Sequence, residues 1–305
     1  MKSEFRNDIQ GLRGIAVLLV VLFHADLGLP GGFVGVDVFF VISGFVIGHM
    51  LLRELDATGT IDLRSFYARR VRRLLPALAA VIIVVLLATI VVLSPTGAQQ
   101  TAASTSIAAS GFFANFHFIQ SARYFDPSER TNPFLHTWSL AIEEQFYLVL
   151  PVTLLWLWRA SRSTRNLSPG RLLVLAVTVG AASSLLASWV WTAARVPVPF
   201  VKDASRFAFY GPVTRVWEFA VGVLLALGAG RLSRIDRRIA VVLGIIGLTA
   251  VAWSAKTFSA MTLFPGIAAL APVAGAALLL LAGGASVTFA RVLGWRPLAW
   301  VGDIS

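Results

Sequence analysis

Four arginines lie within the five residues Arg69–Arg73, directly before an apolar run long enough to enter a bilayer. On a helix, either Arg69 with Arg72 or Arg70 with Arg73 forms an i,i+3 pair whose guanidinium groups can bind one phosphate together. A simpler interpretation is a topology anchor, because positive charge beside a membrane span orients that span during insertion. Since arginine is costly inside hydrocarbon, we expect the cluster at the cytoplasmic border, facing an anionic group.

A second candidate pair lies in the first apolar segment, where Arg13 and His24 are eleven residues apart. Eleven residues make about three helical turns, so the two side chains share a face and lie about 16 Å apart along the axis. Histidine titrates near neutral pH and is therefore a candidate general base, while Arg13 can neutralise an anionic group in the cytoplasmic half. The alternative is that Arg13 reaches the inner interface and His24 bonds a neighbouring helix.

Acidic candidates are Glu143, Glu144 and Asp37. The two glutamates are about 100° apart on a helix, so at least one can face the interior and, with Arg215 or His136, bind an acceptor hydroxyl or position a base. An ordinary explanation is that carboxylates near a helix N-terminus interact favourably with the helix dipole. Asp37 is a candidate to orient an imidazole, and capping at the outer surface explains it equally well.

The remaining polar residues of the apolar segments do not predict a metal site. Arg215 and Glu218 are i,i+3 neighbours, for which an intrahelical ion pair is the simplest explanation. His117 and His136 show no metal-ligand spacing, and the chain has no cysteine, which excludes disulfides and thiolate ligands. We therefore expect no metal.

The composition predicts a polytopic membrane protein. Of the 305 residues, 57% are hydrophobic and 13% are charged, about half the charged share of a soluble domain. The net charge of +11 comes from basic residues that lie where membrane topology explains them. Nucleic acid is therefore not expected as a partner. Eight segments approach the length of a spanning helix. They are Gly11–Leu29, Val34–Leu52, Leu74–Leu93, Leu140–Trp158, Leu172–Trp191, Pro212–Gly230, Ile239–Trp253 and Leu263–Leu281.

One further segment, Thr101–Gln120, decides the topology because it mixes phenylalanines with serines, asparagine and histidine. If it spanned, the basic stretches Arg159–Arg171 and Arg231–Arg238 would lie outside. If it is an interfacial or re-entrant helix on the outer face, both stretches lie inside, as the positive-inside bias favours. We therefore predict an all-α transmembrane helical bundle with a cytoplasmic N-terminus and a non-spanning helix near residues 101–120.

Taken together and in order, several motifs resemble a known family, the membrane-bound acyltransferase 3 family of bacterial O-acyltransferases, which includes O-acetyltransferases that modify lipopolysaccharide O-antigen. The resemblance covers essentially the whole chain. The matching stretches are Asp8–Arg13 leading to His24, Gly35–Phe45, Phe66–Arg73, His136–Leu140 running to Glu143–Tyr147, and Arg215–Glu218.

The resemblance implies transfer of an acyl group, usually acetyl, from cytoplasmic acetyl-CoA or another acyl-CoA to a hydroxyl group. The acceptor would be an extracytoplasmic glycan such as O-antigen, and the protein would be a multi-pass protein of the bacterial inner membrane. A transporter or flippase of an acyl group or lipid-linked sugar is the rival class, since the same intramembrane charges can form a binding relay.

Residue by residue, Arg13 and His24 match the family's essential arginine and histidine. Arg69 and Arg72 match its Arg-x-x-Arg donor motif, which the register of Arg70 and Arg73 also fits. Either Glu143 or Glu144 matches its acidic position.

The resemblance also predicts the domain organisation of the chain. Family members continue past the equivalent of Gly302–Ser305 with further helices, and many carry an extracytoplasmic SGNH domain. We therefore expect residues 1–305 to form one transmembrane domain that is truncated at its C-terminal end, with an SGNH domain as a possible partner.

Overall fold

The computed structural model describes residues 6–121, 132–163, 169–193, 197 and 203–305, and these residues form helices and connecting turns with no strand among them. A short 3-10 helix (Gly32–Val34) precedes the second α-helix. The α-helices are α1 (Asn7–His24), α2 (Gly35–Thr58), α3 (Leu63–Val92), α4 (Ala98–Ser110), α5 (Ala114–Ser121), α6 (Thr137–Ser163), α7 (Pro169–Thr192), α8 (Ala204–Tyr210), α9 (Pro212–Leu232), α10 (Arg237–Thr257), α11 (Leu270–Ala285), α12 (Val287–Leu293) and α13 (Arg296–Asp303).

Seven helical segments in the described part of the chain are long and apolar enough to cross a membrane. They involve α1, α2, α3, α6, α7, α8 with α9, and α10, which confirms the prediction of an all-α, multi-pass membrane protein. The eighth predicted span corresponds to α11, which is apolar but only 16 residues long. It is shorter than expected because the chain between Phe258 and Ala269 forms turns instead of a helix.

The segment Thr101–Gln120 is divided between α4 and α5, neither of which reaches the length of a span. The helix breaks at Phe112, whose φ of +57° lies in the left-handed region that a continuing α-helix does not use. At the start of α4, the Gln99 amide donates to the carbonyl oxygens of Thr89 and Leu93 at 3.1 and 3.0 Å, which satisfies the end of α3. The structure agrees with the prediction that this segment does not span.

The chain divides into two compact units. Unit 1 comprises the described residues of 1–53, 170–185 and 216–305, and unit 2 those of 54–169 and 186–215. Residues 164–168 of the basic stretch Arg159–Arg171 lie outside the described residues, as do residues 122–131, which follow the segment predicted on the outer face.

Glycines set the helix packing in unit 1. An added Cβ at Gly14 would lie 2.1 Å from the Leu298 carbonyl oxygen, and one at Gly302 would lie 1.9 Å from that of Gln10, so α1 and α13 touch through their backbones. An added Cβ at Gly222 would lie 2.1 Å from the Val41 oxygen, so α2 and α9 pack in the same way. Small residues allow this close approach where apolar burial between helices is not a driving force.

The core of unit 2 is aromatic and contains a polar bridge. Tyr210 contacts the rings of Phe118 and Trp138 at centroid distances of 5.6 and 5.5 Å. The fully buried Asn115 donates to the Tyr210 carbonyl oxygen at 3.2 Å and therefore connects α5 to the end of α8. These contacts hold α5, α6 and α8 together around the residues described next.

Candidate active site

Helix α3 begins at a defined cap and presents the arginine cluster from its second turn. The Asp62 carboxylate accepts a hydrogen bond from the backbone N–H of Ser65 at 3.0 Å, and hydrogen bonding to Ser65 lowers the pKa of Asp62. Of the four arginines that follow, Arg70 is the half-buried one, whereas the other three are exposed. These three are Arg69, Arg72 and Arg73.

Arg70 is bound by residues of α6. Its Nη2 atom lies 3.0 Å from Oε1 of Glu144, and its guanidinium carbon lies 3.7 Å from the centroid of the Tyr147 ring. The Tyr147 hydroxyl in turn donates to the Glu143 carboxylate, and the Tyr67 hydroxyl donates to the Leu148 carbonyl oxygen at 2.7 Å. Charge pairing and cation–π contact therefore fix α3 against α6.

This ion pair differs from the topology expected from the sequence. The sequence predicts the arginine cluster at the cytoplasmic border. It predicts Glu143 and Glu144 near the outer face, because they follow the segment Thr101–Gln120 that is expected there. Arg70 and Glu144 each lie seven residues, or about 10 Å, inside their own helices and meet at one level. A guanidinium and a carboxylate in a low-dielectric region are more stable together than apart, which explains why the two side chains are in contact.

A cavity of about 260 Å³ surrounds the pair. Its lining combines apolar side chains with phenol, guanidinium, carboxylate and amide groups from α3, α6 and the α4–α5 break. The amide of Gln145 is held in place because it donates to the Phe112 carbonyl oxygen and to Oδ1 of Asn115, both at 2.9 Å. Asn115 and Gln145 were not predicted as site residues, although an amide within an apolar helix is a recognisable sequence signal.

Arg13 and His24 lie on α1 in different surroundings. Arg13 is half-buried and donates to the Gln10 side-chain oxygen at 3.1 Å and to the Ser305 backbone oxygen at 2.7 Å. His24 is the last residue of α1 and is exposed, with Nδ1 2.8 Å from the Val20 carbonyl oxygen. The bond to Val20 orients the ring, so that Nε2 is the nitrogen directed away from the helix backbone.

Buried charged residues also occur at the beginnings of α2 and α9. Asp37, in the first turn of α2, and Glu218, on α9, are both 0% exposed. Arg215 is 1% exposed and lies 5.7 Å from the Trp138 ring centroid and 5.8 Å from that of Phe209. Ionisable residues inside a membrane protein are costly and therefore mark candidate functional positions.

The predicted site residues are distributed over both units. Arg13, His24 and Asp37 belong to unit 1, whereas the arginine cluster and both glutamates belong to unit 2. Among these residues, Arg70 and Glu144 are joined by an ion pair.

The histidines outside the spans do not form a metal site with other ligands in the described residues, where no group of three or more potential ligands is close enough to hold an ion. His136 is exposed. Burial lowers the pKa of His117 below its ordinary value, so the neutral imidazole is the favoured form near neutral pH.

A family model described as "Acyltransferase domain" matches residues 6–305 of the chain. The peptidoglycan O-acetyltransferase OatA of Listeria monocytogenes is 31% identical over 314 residues, which cover 99% of this chain and 48% of that protein. The O-acetyltransferase OatA of Staphylococcus aureus is 30% identical over 246 residues, which cover 79% of this chain and 38% of that protein. The chain thus spans less than half the length of these curated relatives. No solved structure matches it.

Proposed function

This chain belongs to the acyltransferase-domain family, and from that premise we propose that it is an integral membrane O-acyltransferase that transfers an acetyl or similar acyl group to a hydroxyl. The observation that supports the proposal most directly is the Arg70–Glu144 ion pair, which lines the unit 2 cavity together with Tyr147, whose hydroxyl donates to Glu143. Such a set of charges inside a membrane protein is costly and is expected where substrates bind.

The proposed donor is an acyl-CoA thioester, with acetyl-CoA as the expected compound. Arg69, Arg72 and Arg73 are exposed on α3 and have guanidinium groups that can bind the phosphates of CoA. Arg70 has a different role in this proposal, because Glu144 already accepts from it and Tyr147 covers its face. It positions Glu144 and is not one of the donor-binding arginines.

The cavity in unit 2 is the proposed binding place for sugar residues of the acceptor glycan that lie away from its reacting hydroxyl. Arg70 is paired there with Glu144, so its charge is already balanced and attracts a polyphosphate less than a free guanidinium would. Carboxylates accept hydrogen bonds from sugar hydroxyls, and phenols both donate and accept them. Aromatic rings also pack against the faces of sugars. A neutral polyhydroxyl compound suits this lining.

His24 is the proposed general base. It takes the proton from the acceptor hydroxyl, whose oxygen forms a bond to the thioester carbonyl carbon as the carbon–sulfur bond breaks. The CoA thiolate then takes the proton from the imidazolium, which restores neutral His24. In an alternative order, His24 first forms an acyl-histidine and releases CoA, and the hydroxyl attacks that intermediate. Asp37 and the glutamates orient or balance the charged groups in either order.

The proposed acceptor is a cell-wall glycan outside the cytoplasmic membrane. One of the relatives reported above is named a peptidoglycan O-acetyltransferase, which favours peptidoglycan over the lipopolysaccharide O-antigen expected from the sequence. The same proposal places the N-terminus in the cytoplasm, the protein in the bacterial inner membrane, and an SGNH domain as a possible acyl-accepting partner.

The test is acetyl-CoA turnover by the protein in liposomes that contain soluble peptidoglycan fragments. We expect His24→Ala to abolish CoA release while donor binding is kept, and Arg69→Gln/Arg72→Gln to raise the donor KM with a smaller effect on kcat. Arg291→Gln, an exposed arginine on α12, is the matched control and should leave both constants unchanged.

Two results would contradict the proposal. Turnover that is indifferent to His24 would remove the assigned base. Passage of an acyl group or a lipid-linked sugar across the bilayer without any CoA release would instead identify a transporter.

A further inference from the structure

A second cavity, of about 140 Å³, lies within unit 1. It offers roughly ten times the space that one water molecule needs. Its lining is apolar apart from Arg6 and Ser233, and it is bounded by α2, α9 and α11. The apolar lining residues are Phe45, Leu225, Ala229, Leu232, Leu280, Leu281 and Gly284.

Arg6 is held at the edge of this cavity by an ion pair with Asp8. Its Nε and Nη2 atoms donate to the two oxygens of Asp8, whose side chain is 5% exposed. An added Cβ at Gly283 would lie 2.2 Å from the Asp8 carboxylate, so this pair requires a glycine there. At Gly284 an added Cβ would lie 3.8 Å from both Nη1 and Nη2 of Arg6, so the guanidinium packs against the end of α11.

Aromatic and basic groups extend the site along α2. The Arg6 guanidinium lies 5.6 Å from the Phe45 ring centroid, and the Phe45 ring stacks on His49 with centroids 5.9 Å apart and an interplanar angle of 9°. Arg53 follows His49 by one helical turn, and Arg6 and Arg53 are both within electrostatic range of the imidazole. Arg6 is therefore the cation of the cavity lining, and His49 and Arg53 continue the basic character along α2 outside that lining.

The local charge is positive. Arg6 and Arg53 outnumber Asp8, and exposed Arg231 and Arg234 adjoin the lining residues Leu232 and Ser233 in sequence. Asp236, which caps α10, is the other carboxylate nearby in sequence. A ligand that matches this pattern has an anionic group with strong acceptor oxygens and a short apolar chain.

We propose that the unit 1 cavity binds a phosphate ester attached to an apolar chain, with the phosphate at the Arg6 guanidinium and the chain against the leucines of α9 and α11. The proposal does not depend on the acyl-transfer reaction. Two sources carry a phosphate ester on a chain, namely a phospholipid, whose chains are apolar, and the phosphopantetheine arm of a carrier, whose chain also contains amides.

Calorimetric titration of the full chain in detergent tests the proposal with both sources. The probes are dioctanoyl phosphatidic acid and phosphopantetheine, and their neutral controls are dioctanoylglycerol and pantetheine. Arg6→Gln/Asp8→Asn removes the charge without leaving a buried carboxylate unpaired, and Ala229→Leu fills the cavity. Arg291→Gln is the control variant, and thermal unfolding verifies that each variant is folded.

We expect at least one phosphate probe to bind wild type and the control variant, and to bind both cavity variants at least ten-fold more weakly. The probe that binds identifies the source. Equal affinity for the neutral analogue, equal affinity in the folded cavity variants, or no binding of either phosphate probe to wild type would each overturn the proposal.

Discussion

Replacing one partner of the Arg70–Glu144 ion pair should destabilise unit 2 more than replacing both. The side chains are 18% and 13% exposed, and the charged atoms are 3.0 Å apart. Two unit charges about 4 Å apart attract by about 4 kcal/mol at an effective dielectric constant of about 20. Removing one partner of a buried pair costs about 3–5 kcal/mol, mostly because the other charge stays buried and unpaired.

Partial exposure lowers that figure, so we expect about 2 kcal/mol of destabilisation for Arg70→Gln and for Glu144→Gln. In the double variant two neutral amides can still hydrogen-bond, and the main loss is the cation–π contact with Tyr147, worth about 1 kcal/mol. The coupling free energy between the two positions is then about 3 kcal/mol.

The assay is reversible unfolding in detergent with increasing SDS, followed by the fluorescence of the nine tryptophans. Arg69→Gln changes an exposed neighbour on the same helix and should stay within about 0.5 kcal/mol of wild type. Unfolding free energies of the single variants equal to that of Arg69→Gln would refute this prediction. Effects of the single variants that simply add in the double variant would also refute it.

Two other predictions concern packing and protonation. At Gly222 an added Cβ would lie 2.1 Å from the Val41 oxygen and 2.5 Å from the Phe45 nitrogen, so Gly222→Ala should destabilise by about 1–3 kcal/mol, whereas Gly180→Ala, with nothing within 4 Å, should be neutral or slightly stabilising. Similar unfolding curves for both variants would contradict this. Because burial lowers the pKa of His117, the unfolded chain binds a proton first as pH falls, and stability should decline from about pH 6.5 downwards. His117→Gln should flatten this decline, and an unchanged stability profile would refute it.

The spans could be predicted from the sequence because length and apolar content decide whether a helix can cross a bilayer. Lipid-facing and protein-facing positions are both apolar, however, so composition does not tell how a helix is rotated. That rotation depends on contacts such as Gly14 with Leu298 and Gly222 with Val41, which join residues far apart in the chain. The break at Phe112 is also a backbone property, and a mixed polar segment indicated only that a single span was unfavourable there.

The types of residue in the candidate site could be predicted from the sequence. Which of these residues contact one another could be predicted less well. The pattern of Arg69–Arg73 leaves two i,i+3 registers open, because each arginine has the same local surroundings. The inward direction of Arg70 depends on Glu144 and Tyr147, and Glu144 is 74 residues away in sequence. Asn115 and Gln145 were missed for the same reason, since their importance lies in a hydrogen bond between α5 and α6.

The two cavities contain the same residue type in different electrostatic settings. In unit 2 the guanidinium of Arg70 is paired with Glu144, so the charge of Arg70 is balanced within the cavity lining. In unit 1 the Asp8 carboxylate occupies two donors of Arg6, while Arg53 adds a further positive charge. Because the sign of this balance decides whether an anion is attracted or repelled, carboxylates that meet an arginine in the fold are as informative about its ligand as the arginine motif itself.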